Sequence, residues 1–184
     1  AMDLDIPRLF ALQDRDNIFE TIIAGLYRAV LRPGDLAVDG GANEGMHAFP
    51  LAGLVGASGR VLAFEPIPWR AETLVHGARE RRLPQLRVFA EALAERGGAT
   101  APFHWIRNAD GYSGLRPRAY PVAPDVEMLT VTTAGALRDE VRRRGLTADF
   151  IQTDPDRPTG TVRVALDPAG QPTFTIAADV AWDY

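Results

Sequence analysis

The residues best placed for chemistry lie at the ends of two short apolar runs. The first run ends in AVDGGANEG, which begins at Ala37 and holds Gly40, Gly41 and Gly45. Glycine lets backbone N–H groups approach a ligand closely, and the N-terminus of a following helix attracts negative charge. The second run ends at Glu65, whose carboxylate can accept hydrogen bonds from both hydroxyls of a ribose. Together they predict a site for a nucleotide-like ligand.

The spacing of these glycines differs from that of a dinucleotide site. Such sites contain G-x-G-x-x-G, whereas this segment reads D-x-G-x-N-x-G from Asp39 to Gly45. Asn43 is a residue type that tolerates the left-handed backbone conformation. A tight strand–helix turn that binds nothing is the alternative, and the acid that ends the next strand favours the ligand site.

The elements that would position these residues alternate between helix and strand. Short connections between them favour βαβ units and a parallel sheet, in which ligands bind beyond the carboxyl ends of the strands. Asp14 or Asp16 is a suitable cap for the first helix. The patterns predict helices over 14–31, from the glycine turn to Val55 and over 69–82, and strands over 36–39, 60–64 and 86–90.

The alternation of helix and strand ends after Leu93, and the tail over 154–184 has a different pattern again. We expect strands over 101–106, 127–133 and 149–153, a loop over 111–118 and a helix over 134–144. In the tail, apolar residues alternate with polar or small ones on both sides of DPAG, which is typical of a β-hairpin. The sequence therefore predicts two domains, residues 1–153 and a hairpin tail over 154–184.

Composition excludes several classes of function. The formal net charge is −4, which offers no electrostatic footprint for nucleic acid. All 20 basic residues are arginine, so Schiff-base chemistry and a phosphate-loop lysine are excluded. The chain has no cysteine, which excludes disulfides and thiolate metal sites.

No segment approaches the roughly 18 apolar residues that a membrane span requires. The first residues, AMDLDIPRLF, lack the basic-then-apolar layout of a signal peptide. These features predict a cytoplasmic protein without a membrane partner.

Three histidines are the remaining candidates for chemistry. His47 follows the glycine turn and is a candidate general base, with local packing or capping of a helix as the alternative. His76 and His104 are not spaced with it as metal ligands would be, so the sequence predicts no protein-bound metal.

Two of these motifs together resemble a known family. VDGGANEGMHAFPLA and GRVLAFEPIP are similar to segments of the FkbM-type S-adenosylmethionine-dependent methyltransferases, a resemblance that covers about residues 32–153. It implies a Rossmann-like class I fold, S-adenosyl-L-methionine as cofactor and methylation of a hydroxyl group on a small molecule or sugar. The residues it implies for the methionine end of the cofactor are Asp39, Gly41, Asn43 and Gly45. For the ribose it implies Glu65, and for the surroundings of the adenine Glu91 and Ala92.

The resemblance changes towards the C-terminus. Gln152 stands where the family has a lysine, and the later helices and strands of the family are not found. Residues 142–184 resemble an internal stretch of PfkB-type sugar kinases, fructokinases in particular. Three hypotheses therefore stay open: a methyltransferase, a cofactor-binding remnant or hybrid chain, and a sugar-kinase-related protein. The truncated parallel sheet would leave an edge that the tail hairpin or a second copy, and hence a homodimer, would cover.

Overall fold

The structure, a computed structural model, describes residues 18–117, 123–149, 151, 154–157, 162–166 and 172–176. The chain divides into two units, Ala1–Ala90 and Glu91–Tyr184. The predicted division after residue 153 stays a prediction. The suggested helix caps Asp14 and Asp16 lie outside the described residues. Among the described residues, no helix is long and apolar enough to cross a membrane.

The first unit is a parallel sheet with helices between its strands, which confirms the predicted α/β class. The three strands follow the order β1-β2-β3 and pair in parallel throughout. Its elements are α1 (Ile18–Val30), β1 (Leu36–Gly40), α2 (Ala48–Val55), β2 (Arg60–Phe64), α3 (Pro68–Glu80) and β3 (Leu86–Phe89).

Helices α2 and α3 lie on the same face of this sheet. Because crossovers between parallel strands are right-handed and the strands run in chain order, both helices must pack on one side. The two helices are in contact, because a Cβ at Gly77 of α3 would lie 2.7 Å from Cζ of Phe49 of α2. The core beneath is built from small and branched side chains of α2 and the strands, among them Ala52, Val55 and Val61, which are fully buried.

Helix α1 joins this core through one side only. Tyr27 and the following Leu31 pack against the buried cluster. Four of its large apolar residues are exposed: Ile22, Ile23, Leu26 and Val30.

The second unit contains a mixed sheet of order β4-β6-β5. Strand β4 is parallel to β6, whereas β5 is antiparallel to it. The elements are β4 (Glu91–Leu93), β5 (Thr100–Ile106), a 3₁₀ turn (Asp110–Tyr112), β6 (Val126–Ala134) and α4 (Leu137–Arg143). The predicted strands 101–106 and 127–133 and the helix over 134–144 are therefore present, with shifted ends.

The predicted hairpin of the tail is also present. Strands β7 (Val162–Leu166) and β8 (Pro172–Ile176) pair antiparallel, while the turn between them lies outside the described residues. The strand predicted over 149–153 is not seen at its two described positions. Asp149 lies in a turn and Ile151 in a bend, because the Ile151 N–H donates to the Ala148 carbonyl at 3.0 Å and closes a turn. The other three positions lie outside the described residues.

Candidate functional site

The candidate site begins at the turn that follows β1. Gly41, Asn43 and Gly45 all have positive φ, at 83°, 46° and 91°. Such angles favour glycine and are tolerated by asparagine, which explains these residue types. A Cβ at Gly41 would meet no heavy atom of the described residues within 4 Å. Gly40 lies at the exposed end of β1 beside Phe64 of β2.

Gly45 has a second, purely structural reason to be glycine. A Cβ there would lie 2.4 Å from Cε2 of Phe49 and 2.8 Å from Cδ2 of Leu74. These are distances that require the neighbours to move. Packing of the turn against α2 and α3 therefore accounts for this glycine without a ligand, and its contact with the methionine end stays a prediction.

The N–H groups of the turn are used within the protein, contrary to the expectation that they would face a ligand. The N–H groups of Gly41 and Ala42 donate to the Phe64 carbonyl at 2.8 and 3.0 Å. The Gly45 N–H donates to the Ala42 carbonyl at 2.8 Å. The physical reason is the register of the sheet, which places the end of β2 directly beside the turn. Side chains of the turn are thus the groups to consider for binding.

Glu65 lies against the turn, as the sequence predicts for an acid at the end of the neighbouring strand. It is 4% exposed, and its Oε2 accepts the Asn43 N–H at 2.8 Å. Its Oε1 accepts the Ile67 N–H at 2.9 Å, while its own N–H donates to the Phe89 carbonyl at 2.9 Å. A carboxylate oxygen can accept more than one hydrogen bond. These bonds therefore fix the orientation of the group without excluding a ligand hydroxyl.

Asp39 is the penultimate residue of β1, and it is half-buried. Burial raises the pKa of Asp39 above its usual value, while the nearby His47 and a hydrogen bond from the Ala48 N–H act in the opposite direction. Its Oδ2 is buried and has no hydrogen-bond partner among the described residues. The same holds for Oδ1 of Asn43. Buried polar atoms without a partner are uncommon and indicate a missing donor, such as a ligand or water.

His47 precedes α2 as its N-cap residue, and its side chain makes no capping bond there. Its Nε2 lies 2.7 Å from Oε2 of Glu20, a residue of α1. Its Nδ1 is buried and has no partner among the described residues. The role of His47 as a general base stays a prediction.

The structure reveals two contacts of the turn that sequence reasoning missed. One is the Glu20–His47 pair, and the other joins Arg70 of α3 to Glu44. Their partners are 27 and 26 positions apart in the chain. No local pattern signals a pair at such a separation.

The structure places the remaining predicted residues in the second unit. Glu91 lies on β4 with its Oε2 3.4 Å from Nη2 of Arg144. Ala92, the next residue, is 5% exposed. Their predicted place beside an adenine stays a prediction. No group of three or more potential metal ligands occurs among the described residues.

Comparison with known proteins finds weak likenesses. No protein-family model and no curated protein matches the chain. A SAM-dependent methyltransferase from Aquifex aeolicus is 17% identical with a TM-score of 0.37, over 54% of this chain and 52% of that protein. A SAM-dependent O-methyltransferase from Thermotoga maritima is 17% identical with a TM-score of 0.34, over 62% of this chain and 64% of that protein. The chain thus spans less than two thirds of either structure, and likenesses of this size do not assign an activity.

Proposed function

We propose that the first unit binds S-adenosylmethionine and that the chain is a methyltransferase acting on a hydroxyl group of a small molecule or sugar. The observation that carries this proposal is the contact between Glu65 and the turn after β1. Two neighbouring parallel strands end side by side there, in the position where open α/β sheets bind ligands. A buried carboxylate follows one strand, and in the turn after the other no described residue approaches a Cβ at Gly41 within 4 Å.

The residues at this turn fit an adenosyl amino acid. Its ribose offers two hydroxyl donors, which suit the carboxylate of Glu65. Its amino-acid end offers an ammonium donor, which suits Oδ2 of Asp39 and Oδ1 of Asn43, two oxygens without a partner in the described part of the chain. Gly40, Gly41 and Gly45 would line the methionine end, and Glu91 and Ala92 would approach the adenine. Each of these assignments is part of the proposal.

When bound, S-adenosylmethionine supplies a methyl group on a sulfonium sulfur. This sulfur is a good leaving group, because it departs as a neutral thioether. The protein's task is then mainly to align the methyl group with the acceptor, and such alignment can lower the activation barrier by about 7–11 kcal/mol. In this chain Glu65 would hold the ribose in one orientation, because two backbone N–H groups fix its carboxylate. Asp39 and Asn43 would hold the opposite end of the ligand. A small-molecule acceptor, a cytoplasmic location and a homodimer belong to the same proposal.

Calorimetry with S-adenosylhomocysteine and its 2′-deoxy analogue tests the role of Glu65. We expect the wild-type protein to bind the 2′-deoxy compound about tenfold to a hundredfold more weakly, which corresponds to one lost hydrogen bond to a charged group. Glu65→Gln should weaken the binding of S-adenosylhomocysteine and reduce the difference in affinity between the two compounds. Glu72→Gln, an exposed acid on α3, is the matched control and should behave as the wild type. Equal binding of both compounds by the wild type would contradict the proposal.

Cofactor binding without turnover is the second candidate, and one observation favours it. Open α/β sheets bind ligands in a crevice where the strand order reverses, yet no strand of the described residues pairs with the outer side of β1, which carries the site. A methyl-transfer assay over a panel of sugars and hydroxylated small molecules distinguishes this candidate from an active enzyme. Binding of S-adenosylhomocysteine with no product for any acceptor would favour the second candidate. A fructose-dependent signal with no binding of S-adenosylhomocysteine would favour the sugar-kinase hypothesis instead.

A further inference from the structure

A groove in the first unit is lined by residues of helix α3, strand β3 and the loop between them. Its volume is about 330 Å³, within the range of pockets that hold small molecules. Leu86, the first residue of β3, and the preceding Leu83 and Pro84 line it, so the groove lies towards the amino end of this strand. The turn after β1 follows the carboxyl end of the same parallel sheet. The groove is therefore separate from the candidate site described above.

Most of the residues that line the groove are apolar. Leu86 and Val88 are two positions apart on β3, so their side chains lie on the same face of the sheet. Val75, Leu83 and Val88 are only half-buried, which leaves apolar surface exposed within the groove. Covering such surface favours the binding of an apolar group. The apolar lining residues are Val75, Ala78, Leu83, Pro84, Leu86 and Val88.

Two arginines, Arg79 and Arg82, line the same groove and are exposed. Neither forms an ion pair with an acid among the described residues. Oε1 of Glu80, the acid between them in the chain, lies 3.7 Å from Nδ1 of His76 instead. Arginine binds carboxylates through paired N–H donors. Arg79 also complements the dipole at the end of α3, but that role requires no apolar groove beside it.

The backbone of Arg82 supports a role for its side chain. Its φ of 54° lies in the left-handed region, which glycine adopts more readily than arginine does. Unfavourable backbone angles of this kind occur often at functional sites. A ligand that needs the guanidinium would account for an arginine at this position.

We propose that this groove binds a small organic acid with an apolar body, whose carboxylate contacts Arg79 and Arg82. The apolar body then lies against Val75, Leu83 and Val88. Because the whole chain has a formal net charge of −4, the attraction for an anion comes from these two arginines and not from the overall charge. This binding site does not depend on the function proposed above.

A titration with three probes tests whether both parts of the ligand are needed. Hexanoate has the carboxylate and the apolar body, 1-hexanol has only the body, and acetate has only the charge. We expect hexanoate to bind about fivefold more tightly than 1-hexanol, the upper range for an exposed ion pair. It should bind at least about tenfold more tightly than acetate, because methylene groups are buried. ¹H–¹³C spectra of the methyl groups should shift at Val75, Leu83 and Val88.

Substitution of the arginines tests their part in binding. Arg79→Gln and Arg82→Gly should each weaken hexanoate about twofold to fivefold and leave 1-hexanol unchanged. Arg82→Gly also removes the unfavourable φ, so its weaker binding would not reflect a loss of fold, and thermal unfolding checks this. Arg87→Gln is the matched control. Arg87 is an exposed residue between Leu86 and Val88 on β3, so its side chain points to the other face of the sheet.

Three results would overturn the proposal. The first is hexanoate binding no tighter than acetate or 1-hexanol. The second is an affinity for hexanoate that Arg79→Gln and Arg82→Gly leave unchanged, or that Arg87→Gln lowers equally. The third is a set of methyl shifts that excludes Val75, Leu83 and Val88.

Discussion

Replacing Asp39 with asparagine should make the ligand-free protein more stable while it weakens ligand binding. Asparagine keeps an oxygen that can accept the Ala48 N–H, which Asp39 accepts now. Its neutral amide group also replaces Oδ2, a buried carboxylate oxygen that has no hydrogen-bond partner among the described residues. The substitution therefore removes a buried and incompletely hydrogen-bonded charge.

The expected gain in the free energy of unfolding depends on how deeply the Asp39 carboxylate is buried. An unsatisfied buried polar group costs about 1–3 kcal/mol. Asp39 is only half-buried, so we expect the lower end, a gain of about 1 kcal/mol in the free energy of unfolding. For a chain of this size that corresponds to a rise of about 2–4 °C in Tm.

The dependence on pH has a definite sign. Since burial raises the pKa of Asp39 in the folded state above the usual 3.8, the folded protein binds this proton more tightly than the unfolded chain. The resulting stability is fully present below pH 3.8 and is lost as the pH rises through the folded pKa. Asparagine does not ionise, so the advantage of Asp39→Asn should grow from acidic to neutral pH.

Urea unfolding of both proteins at acidic and neutral pH, without ligand, measures this difference. Calorimetry with S-adenosylhomocysteine measures the expected loss of binding in the same samples. A variant that is less stable than the wild type at neutral pH would refute the reasoning, as would a difference that does not change with pH.

Three further substitutions test the packing and backbone geometry of the first unit. Gly45→Ala should lower the free energy of unfolding by about 2 kcal/mol or more, because it combines a positive φ with a contact of 2.4 Å to Phe49. A Cβ at Gly53 of α2 meets no described residue within 4 Å, so Gly53→Ala should raise the free energy of unfolding by about 0.5–1 kcal/mol. Urea unfolding of both variants measures these changes. Arg82→Gly should stabilise the end of α3 by about 1 kcal/mol, because Arg82 has a φ of 54°, which favours glycine. The following N–H, that of Leu83, donates to the Ala78 carbonyl, as in a helix end that favours glycine at this position. An unchanged or lower Tm would contradict this prediction.

The strands of the first unit could be predicted from the sequence because their signals are local. Gly59 and Glu65 bound the segment RVLAF, which is apolar after Arg60, and β2 covers this segment, Arg60–Phe64. Pro68 suits the first turn of a helix, and α3 begins there. The position of Glu65 against the turn also follows, because neighbouring parallel strands end at the same edge of the sheet.

The contacts of the turn could not be predicted, because they depend on packing between distant segments. The N–H groups of Gly41 and Ala42 reach the Phe64 carbonyl only because the register sets Gly40 opposite Phe64. The pairing of His47 with Glu20 likewise depends on how α1 packs. Neither leaves a periodic pattern in the sequence.

The second unit was less predictable for a similar reason. Alternation of apolar residues identifies β5 and β6 as strands but does not specify their partners. The parallel pairing of β4 with β6 brings together segments about 40 positions apart, with Glu91 opposite Thr132. The apolar residues near Ile151 resemble a strand, yet the bond from its N–H to Ala148 closes a turn.

A crystal structure of the protein with S-adenosylhomocysteine tests the central claim most directly. The account predicts the ribose hydroxyls within hydrogen-bond distance of the Glu65 carboxylate and the amino group beside Asp39 and Asn43. S-adenosylhomocysteine bound elsewhere, or absent at saturating concentration while the chain's own side chains fill the space beside Gly41, would contradict it.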